Sequence, residues 1–179
     1  ITIIAYVGSD NSQDAASVNL DDSETGRGAI PRTITDDGGV HNVVAIDQYA
    51  FQNHTELGNV VFGSTSAPSL ITRIEDHAFE GSDHLTEVNL NNASSLQYIG
   101  TNAFYRSSTA TANISARELF IPASVTTIGA NAFSGFNRLR SLVFEDTEDH
   151  PSQLEKIYGS AFAYAGNIYY SLSDLTNLP

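Results

Sequence analysis

Ile121-Pro122-Ala123-Ser124-Val125-Thr126-Thr127-Ile128-Gly129-Ala130-Asn131-Ala132-Phe133 is the fullest copy of a phrase that the chain repeats. The dipeptide that closes it occurs five times, at Ala50-Phe51, Ala78-Phe79, Ala103-Phe104, Ala132-Phe133 and Ala161-Phe162, in steps of 28, 25, 29 and 29 residues. Isoleucine stands five residues before each of these phenylalanines: Ile46, Ile74, Ile99, Ile128 and Ile157. Eight residues before them stand Val43, Ile71, Leu96, Val125 and Leu154. Six residues after them, four of the five copies place Leu57, Leu85, Leu139 or Ile168. A fixed period of roughly 20 to 50 residues is the mark of a stack of supersecondary units.

The segment after each of these last aliphatics alternates, as in Val60 and Phe62 or Val88 and Leu90, which is the pattern of a strand with one buried side. One strand and one turn cannot bury a core alone, so successive units must lean on one another, with their strands paired in parallel at about 4.8 Å. Glycine and asparagine near the Ile-to-Phe segment (Gly100, Asn102, Gly129, Asn131, Gly159) suit the tight return that closes each unit. In the third copy a polar stretch, Ser107 to Ser115, intervenes, and the alternation resumes late with Ala116, Leu119 and Ile121; an insertion of this kind maps to a loop.

Residues 41–179 are therefore expected to form one solenoid of about five units. The expected fold is mostly β, at the edge of α/β: one parallel sheet with short helical or irregular returns, right-handed by the crossover rule for parallel strands. Residues 1–40 lack the Ala-Phe phrase. Ile1 to Val7 reads as a strand, Ser9 to Gly28 as a polar, acidic connection, and Asp36-Asp37-Gly38-Gly39 as a turn leading to Val43. This region is expected to be an N-terminal cap over the open core. No sixth Ala-Phe follows Ile168, and the chain begins at Ile1 with no methionine anywhere, so it reads as a segment of a longer protein.

Composition narrows the function. Eight Lys and Arg against 21 Asp and Glu give a net charge of −13. Binding to nucleic acid or to an anionic membrane surface needs clustered cations, and neither is expected here. Apolar runs such as Ile3 to Val7 reach five residues, too short for membrane insertion. With no cysteine there is no disulfide and no thiolate chemistry. Ser, Thr and Asn make up 49 of the 179 residues, a surface polar through hydroxyls and amides more than charge, as suits an extracellular or cell-surface protein.

The phrase Ile-x-x-x-Ala-Phe followed by Leu-x-x-Val-x-Leu, carried in full from Ile121 to Gly129 and onward, resembles the BspA-like leucine-rich repeat family across roughly residues 29 to 172. The resemblance implies a bacterial surface or secreted module, non-enzymatic, engaged in adhesion or protein binding. The cysteine that often follows the Phe in that family is absent, and the third unit carries its insertion.

If the aliphatic that opens each strand is position zero, positions three and five point inward while two and four face out. Position two holds Asn59, Glu87, Glu118, Ser141 and Tyr170; position four holds Val61, Asn89, Phe120, Val143 and Leu172. Aligned across adjacent strands these make a stripe about 19 Å long, apolar with a polar rim, as protein-binding surfaces are. Asn59, Val61, Glu87, Asn89, Glu118, Phe120, Ser141 and Val143 are the expected partner-binding residues, for a protein or a glycan on a host or neighbouring cell. Single surface hydrophobics are otherwise ordinary, and β-branched residues favour strands in any case.

Other chemistries are weakly represented. His77 and His84, beside Asp76 and Asp83, fall at variable repeat positions expected to face solvent, with no recurring three-ligand set for zinc. The acidic runs Asp21-Asp22-Glu24, Asp36-Asp37 and Glu145-Asp146-Glu148-Asp149 do not follow a calcium-loop spacing; weak calcium binding of the extracellular kind is the most they offer. No metal site or cofactor is expected. There is no Gly-x-Ser-x-Gly and no phosphate-cradling loop, and no catalytic residues are assigned. The alternatives from other classes are a glycan-binding or carbohydrate-active module, in which Glu87 and Glu118 would be the acids, and a structural spacer within a larger surface protein. The sequons at Asn53, Asn92 and Asn113 matter only in a eukaryotic secretory pathway.

Overall fold

The computed structural model describes residues 3–7, 14–18, 27–36, 39–54, 57–85, 87–106, 118–166 and 169–170. In chain order its strands are β1 (Ile3–Val7), β2 (Asp14–Val18), β3 (Arg27–Ile30), β4 (Thr33–Asp36), β5 (Gly39–Ile46), β6 (Asn59–Phe62), β7 (Arg73–Ile74), β8 (Glu87–Asn89), β9 (Tyr98–Ile99), β10 (Glu118–Ile121), β11 (Thr127–Ile128), β12 (Ser141–Phe144), β13 (Lys156–Ile157) and β14 (Tyr169–Tyr170). The parallel solenoid read from the period is the fold. Among the described residues no helix occurs, so the returns are turns alone.

Each unit contributes two strands where one was expected. The longer strands carry the two-residue alternation and bury Val60 and Phe62, Val88, Leu119 and Ile121, and Leu142. They form the parallel sets β3-β6-β8 and β10-β12-β14. The isoleucine of each phrase lies on a second, narrow row, β5-β7-β9-β11-β13, in which Ile46, Ile74, Ile99, Ile128 and Ile157 stand in register. A two-residue strand is too short to show alternation in sequence, which is why a single parallel sheet was the expectation.

Between the rows the phenylalanines stack. Phe51, Phe79, Phe104, Phe133 and Phe162 follow one another at centroid distances of 4.5, 4.9, 5.2 and 5.6 Å, with planes within 11° of parallel. The main chain of the turns is also bonded from coil to coil: Phe51, Phe79, Phe104 and Phe133 each donate their amide to the alanine carbonyl of the next copy at 2.7–2.8 Å. The alanine is small because this stacking leaves its Cβ no room to grow; Ala78, Ala103 and Ala132 are fully buried.

The turn has a fixed backbone requirement. Two residues before each phenylalanine, Tyr49, His77, Asn102, Asn131 and Ser160 all adopt the left-handed conformation, with φ between 54° and 64°. Asparagine is the non-glycine residue that tolerates this region best, so Asn102 and Asn131 fulfil the expected turn role. Gly100 and Gly129 do not, for neither has a positive φ. They are glycine because coils approach there: a Cβ on Gly129 would lie 2.4 Å from the carbonyl carbon of Gly100. Gly159, at the last described turn, faces open space.

At the N-terminal end β1, β2 and β4 add antiparallel strands to the narrow row through β5, and β3 pairs in register with β6. Asp14–Val18 is thus a strand inside what the sequence suggests is a connection. The Asp36↔Gly39 pair closes a hairpin at the expected turn, whose residues 37–38 lie outside the described residues. The insertion from Ser107 to Ser115 also lies outside them, as do Ala116 and Leu172. In the last strand Tyr169, not Tyr170, stands opposite Ser141, because it follows Phe162 by seven residues where Ser141 follows Phe133 by eight.

Candidate functional site

The expected face is built by the longer strands. Their inward residues fill the core, which leaves Asn59, Val61, Glu87, Asn89, Glu118, Phe120, Ser141 and Val143 on the outward side; Glu118 is exposed and the other seven are half-buried. Register brings them together in two groups of four. Asn59 stands opposite Glu87, and its Nδ2 donates to Glu87 Oε2 at 3.3 Å, while Val61 stands opposite Asn89. Glu118 stands opposite Ser141, and Phe120 opposite Val143. The continuous stripe expected from the sequence is interrupted, because β8 and β10 are not hydrogen-bonded neighbours. Glu87 and Glu118 accordingly belong to different sheets.

A second polar cluster, on the turn side, was not visible as such in the sequence. The His77 ring stacks on Tyr49 at 4.9 Å and 13°, and its Nδ1 lies 2.8 Å from Glu80 Oε2. Gln52 Nε2 donates to the same carboxylate at 2.9 Å, and Asn102 Nδ2 to its other oxygen at 3.3 Å. His77 is thus half-buried and engaged by three coils, not merely solvent-facing as its variable position suggests, whereas His84 is exposed. The signal available was the repeat position itself: Tyr49, His77 and Asn102 are equivalent residues, and equivalents in a stack are neighbours.

On the narrow row Arg73 lies 4.1 Å above the Tyr98 ring and pairs with Glu75 at 2.5 Å. The Tyr98 hydroxyl donates to Asp76 Oδ1 at 2.9 Å, and the Thr101 amide reaches the same oxygen at 2.7 Å. Burial first, then the bond to Asp76, pushes the Tyr98 phenol up to about 12. Arg106 is the other feature the sequence hid: it is 2% exposed, and its Nη2 donates to the Asp83 carbonyl. Burial pushes its guanidinium below its ordinary value, with the Asp83 charge opposing.

The acidic run from Glu145 is partly occupied by main-chain amides, since Glu145 Oε2 accepts that of Ala123 in the preceding coil at 2.9 Å and Asp146 Oδ1 that of Ser152 in its own loop at 3.0 Å. Among the described residues no three His, Asp or Glu side chains form a group that could hold a metal ion.

Coils of 25 to 29 residues, each with two strands and an aromatic turn sharing one aliphatic interior, define a leucine-rich-repeat solenoid. Residues 44–171 match the BspA type leucine rich repeat region in six copies, and the chain belongs to that family. Repeats of this family and fold are typically non-catalytic. Among solved structures it is similar to the pneumococcal vaccine antigen PcpA, at 28% identity and a TM-score of 0.58, covering 78% of this chain and 32% of that one. The present chain therefore spans about a third of that antigen's length. It also matches a leucine-rich repeat protein from Bacteroides ovatus (19% identity, TM-score 0.47, 94% of this chain and 45% of that one). A leucine rich cell surface protein from Faecalibacterium prausnitzii is matched at 17% identity and a TM-score of 0.45, over 93% and 52% of the two chains. No curated protein matches the sequence.

Proposed function

We propose that the chain is a non-enzymatic module that recognises a macromolecular partner, a protein, outside the cell through its longer-strand face. The observation that carries this reading is at position four of three strands, where Val61, Phe120 and Val143 are turned outward and half-buried although the core is already filled by their neighbours. Apolar groups that the interior does not use, set beside Asn59, Glu87 and Ser141, give the apolar centre and polar rim of an interface. Membership of a repeat family with a vaccine antigen among its structural likenesses supports a surface location.

The test is a binding panel of immobilised extracellular proteins and glycans, read by surface plasmon resonance. The protein should bind at least one panel protein, and the triple variant Val61→Ser, Phe120→Ser, Val143→Ser should lose about 2 kcal/mol or more of that affinity, roughly thirtyfold in Kd. Its far-UV circular dichroism should stay unchanged. Binding to no protein in the panel, or equal binding by the variant, overturns the reading. Binding to glycans alone, with loss on the same substitutions, transfers it to the glycan-binding class.

A further inference from the structure

Three features coincide in the third coil. The longer-strand row, bonded in full register on either side, is broken between β8 and β10, while the narrow row and the turn row run through without interruption. Gly100 donates to the Ile74 carbonyl at 2.8 Å and Gly129 to that of Ile99 at 2.7 Å; Phe79 and Phe104 keep their turn bonds. Next, three residues after each Phe stack member's alanine, Asn53, Gly81, Gly135 and Tyr164 are left-handed in four coils, but Arg106, their equivalent in the third, is not. Finally, Arg106 is buried and its guanidinium reaches back to the Asp83 carbonyl of the preceding coil, in the return that leads to β8.

We infer that the seam between β8 and β10 is a hinge: the two halves of the strand face tilt about the continuous narrow row, and Arg106 is the clasp that holds the break closed. Among the described residues β8 and β10 share no ladder pairing, whereas the rows on the other side of the core keep their hydrogen bonds and so act as the axis. Arg106 bridges the two coils where the ladder does not, with a charge-assisted bond in a water-poor setting. The inference does not depend on what the face binds. It does mean that Phe120 sits on the rim of an adjustable seam, so that the face can adapt its two halves to a partner.

The alternation of the strands says which amides report on the seam. Glu87 donates back to the Gly58 carbonyl at 3.3 Å, so Val88, one residue on, turns its amide towards the third coil. Glu145 donates to Ile121 at 2.9 Å, so Val143 faces β10 and Phe120 faces the seam. Amide hydrogen exchange on the full chain should show the Phe120 amide exchanging at least about tenfold faster than Val143, its counterpart one coil further on. Comparable protection of the two overturns the hinge. In Arg106→Gln, Val88 and Phe120 should exchange about tenfold faster again while Phe79 and Phe104 keep their protection. Unchanged seam exchange, or uniform loss of protection along the stack, overturns the clasp; the comparison within the unsubstituted chain stands whether or not that variant folds.

Discussion

Tyr98 shows how a single residue records the stack around it. Its phenol is held near pH 12 by partial burial and by the hydrogen bond to Asp76. An unfolded tyrosine loses its proton near pH 10, so below about pH 10 both states are protonated and the full contribution of the interaction is present; between about 10 and 12 the unfolded state ionises first and that stability is lost. An absorbance titration at the tyrosinate band should therefore contain a late phase near pH 12 that Tyr98→Phe removes and Asp76→Asn moves to lower pH. A titration with no late phase contradicts this placement. At the same scale the sequence was only partly readable. Asn102 and Asn131 advertise a left-handed turn because asparagine is suited to it, but Tyr49 and Ser160 hold the same conformation with no such preference, imposed by the adjoining coil. Gly100 and Gly129 look like turn residues, and their actual cause, the closeness of the preceding coil's backbone, is a distance between residues far apart in sequence.

Among elements, the aromatic ladder is the part whose loss should be most uneven. Phe104 is fully buried with a ring stacked on each face, while Phe162 has Phe133 stacked on one face and is only half-buried. Phe104→Ala should cost about 3–5 kcal/mol, because a cavity opens between two rings with no side chain able to fill it, and Phe162→Ala no more than about half as much. Urea unfolding followed by circular dichroism measures both; equal costs would mean that the ladder does not act as a packed column. The ladder was legible in advance, since Ala-Phe recurs at a nearly constant step. So was the inward set Val60, Val88, Leu119 and Leu142, through its alternation. The division of each coil into two strand rows was not, because Arg73–Ile74 and its equivalents are two residues long, and periodicity needs more than one repeat of itself to be seen. The break between β8 and β10 was equally hidden, for the site residues on either side of it, Asn89 and Phe120, have sequences that read as ordinary strands.

Across the whole molecule, stability should vary with position along the stack. A solenoid has no contacts between distant coils, so each coil's contribution is its own plus that of its two interfaces, and a terminal coil has one interface fewer. Ile128 and Ile157 make the comparison clean, since they share one residue type and one register and each ends a two-residue strand. Ile128 is 0% exposed, whereas Ile157, the same residue one coil later, is 46% exposed. Ile128→Ala should therefore cost about 2–5 kcal/mol, and Ile157→Ala less than about 1 kcal/mol, because the second removes methyl groups that already face water. Unfolding curves of the two variants, fitted with a common m-value, decide the matter. A cost for Ile157→Ala as large as for Ile128→Ala would show that the outer face of the last described coil is covered in solution, and self-association measured by sedimentation at rising concentration would then show whether a second copy covers it.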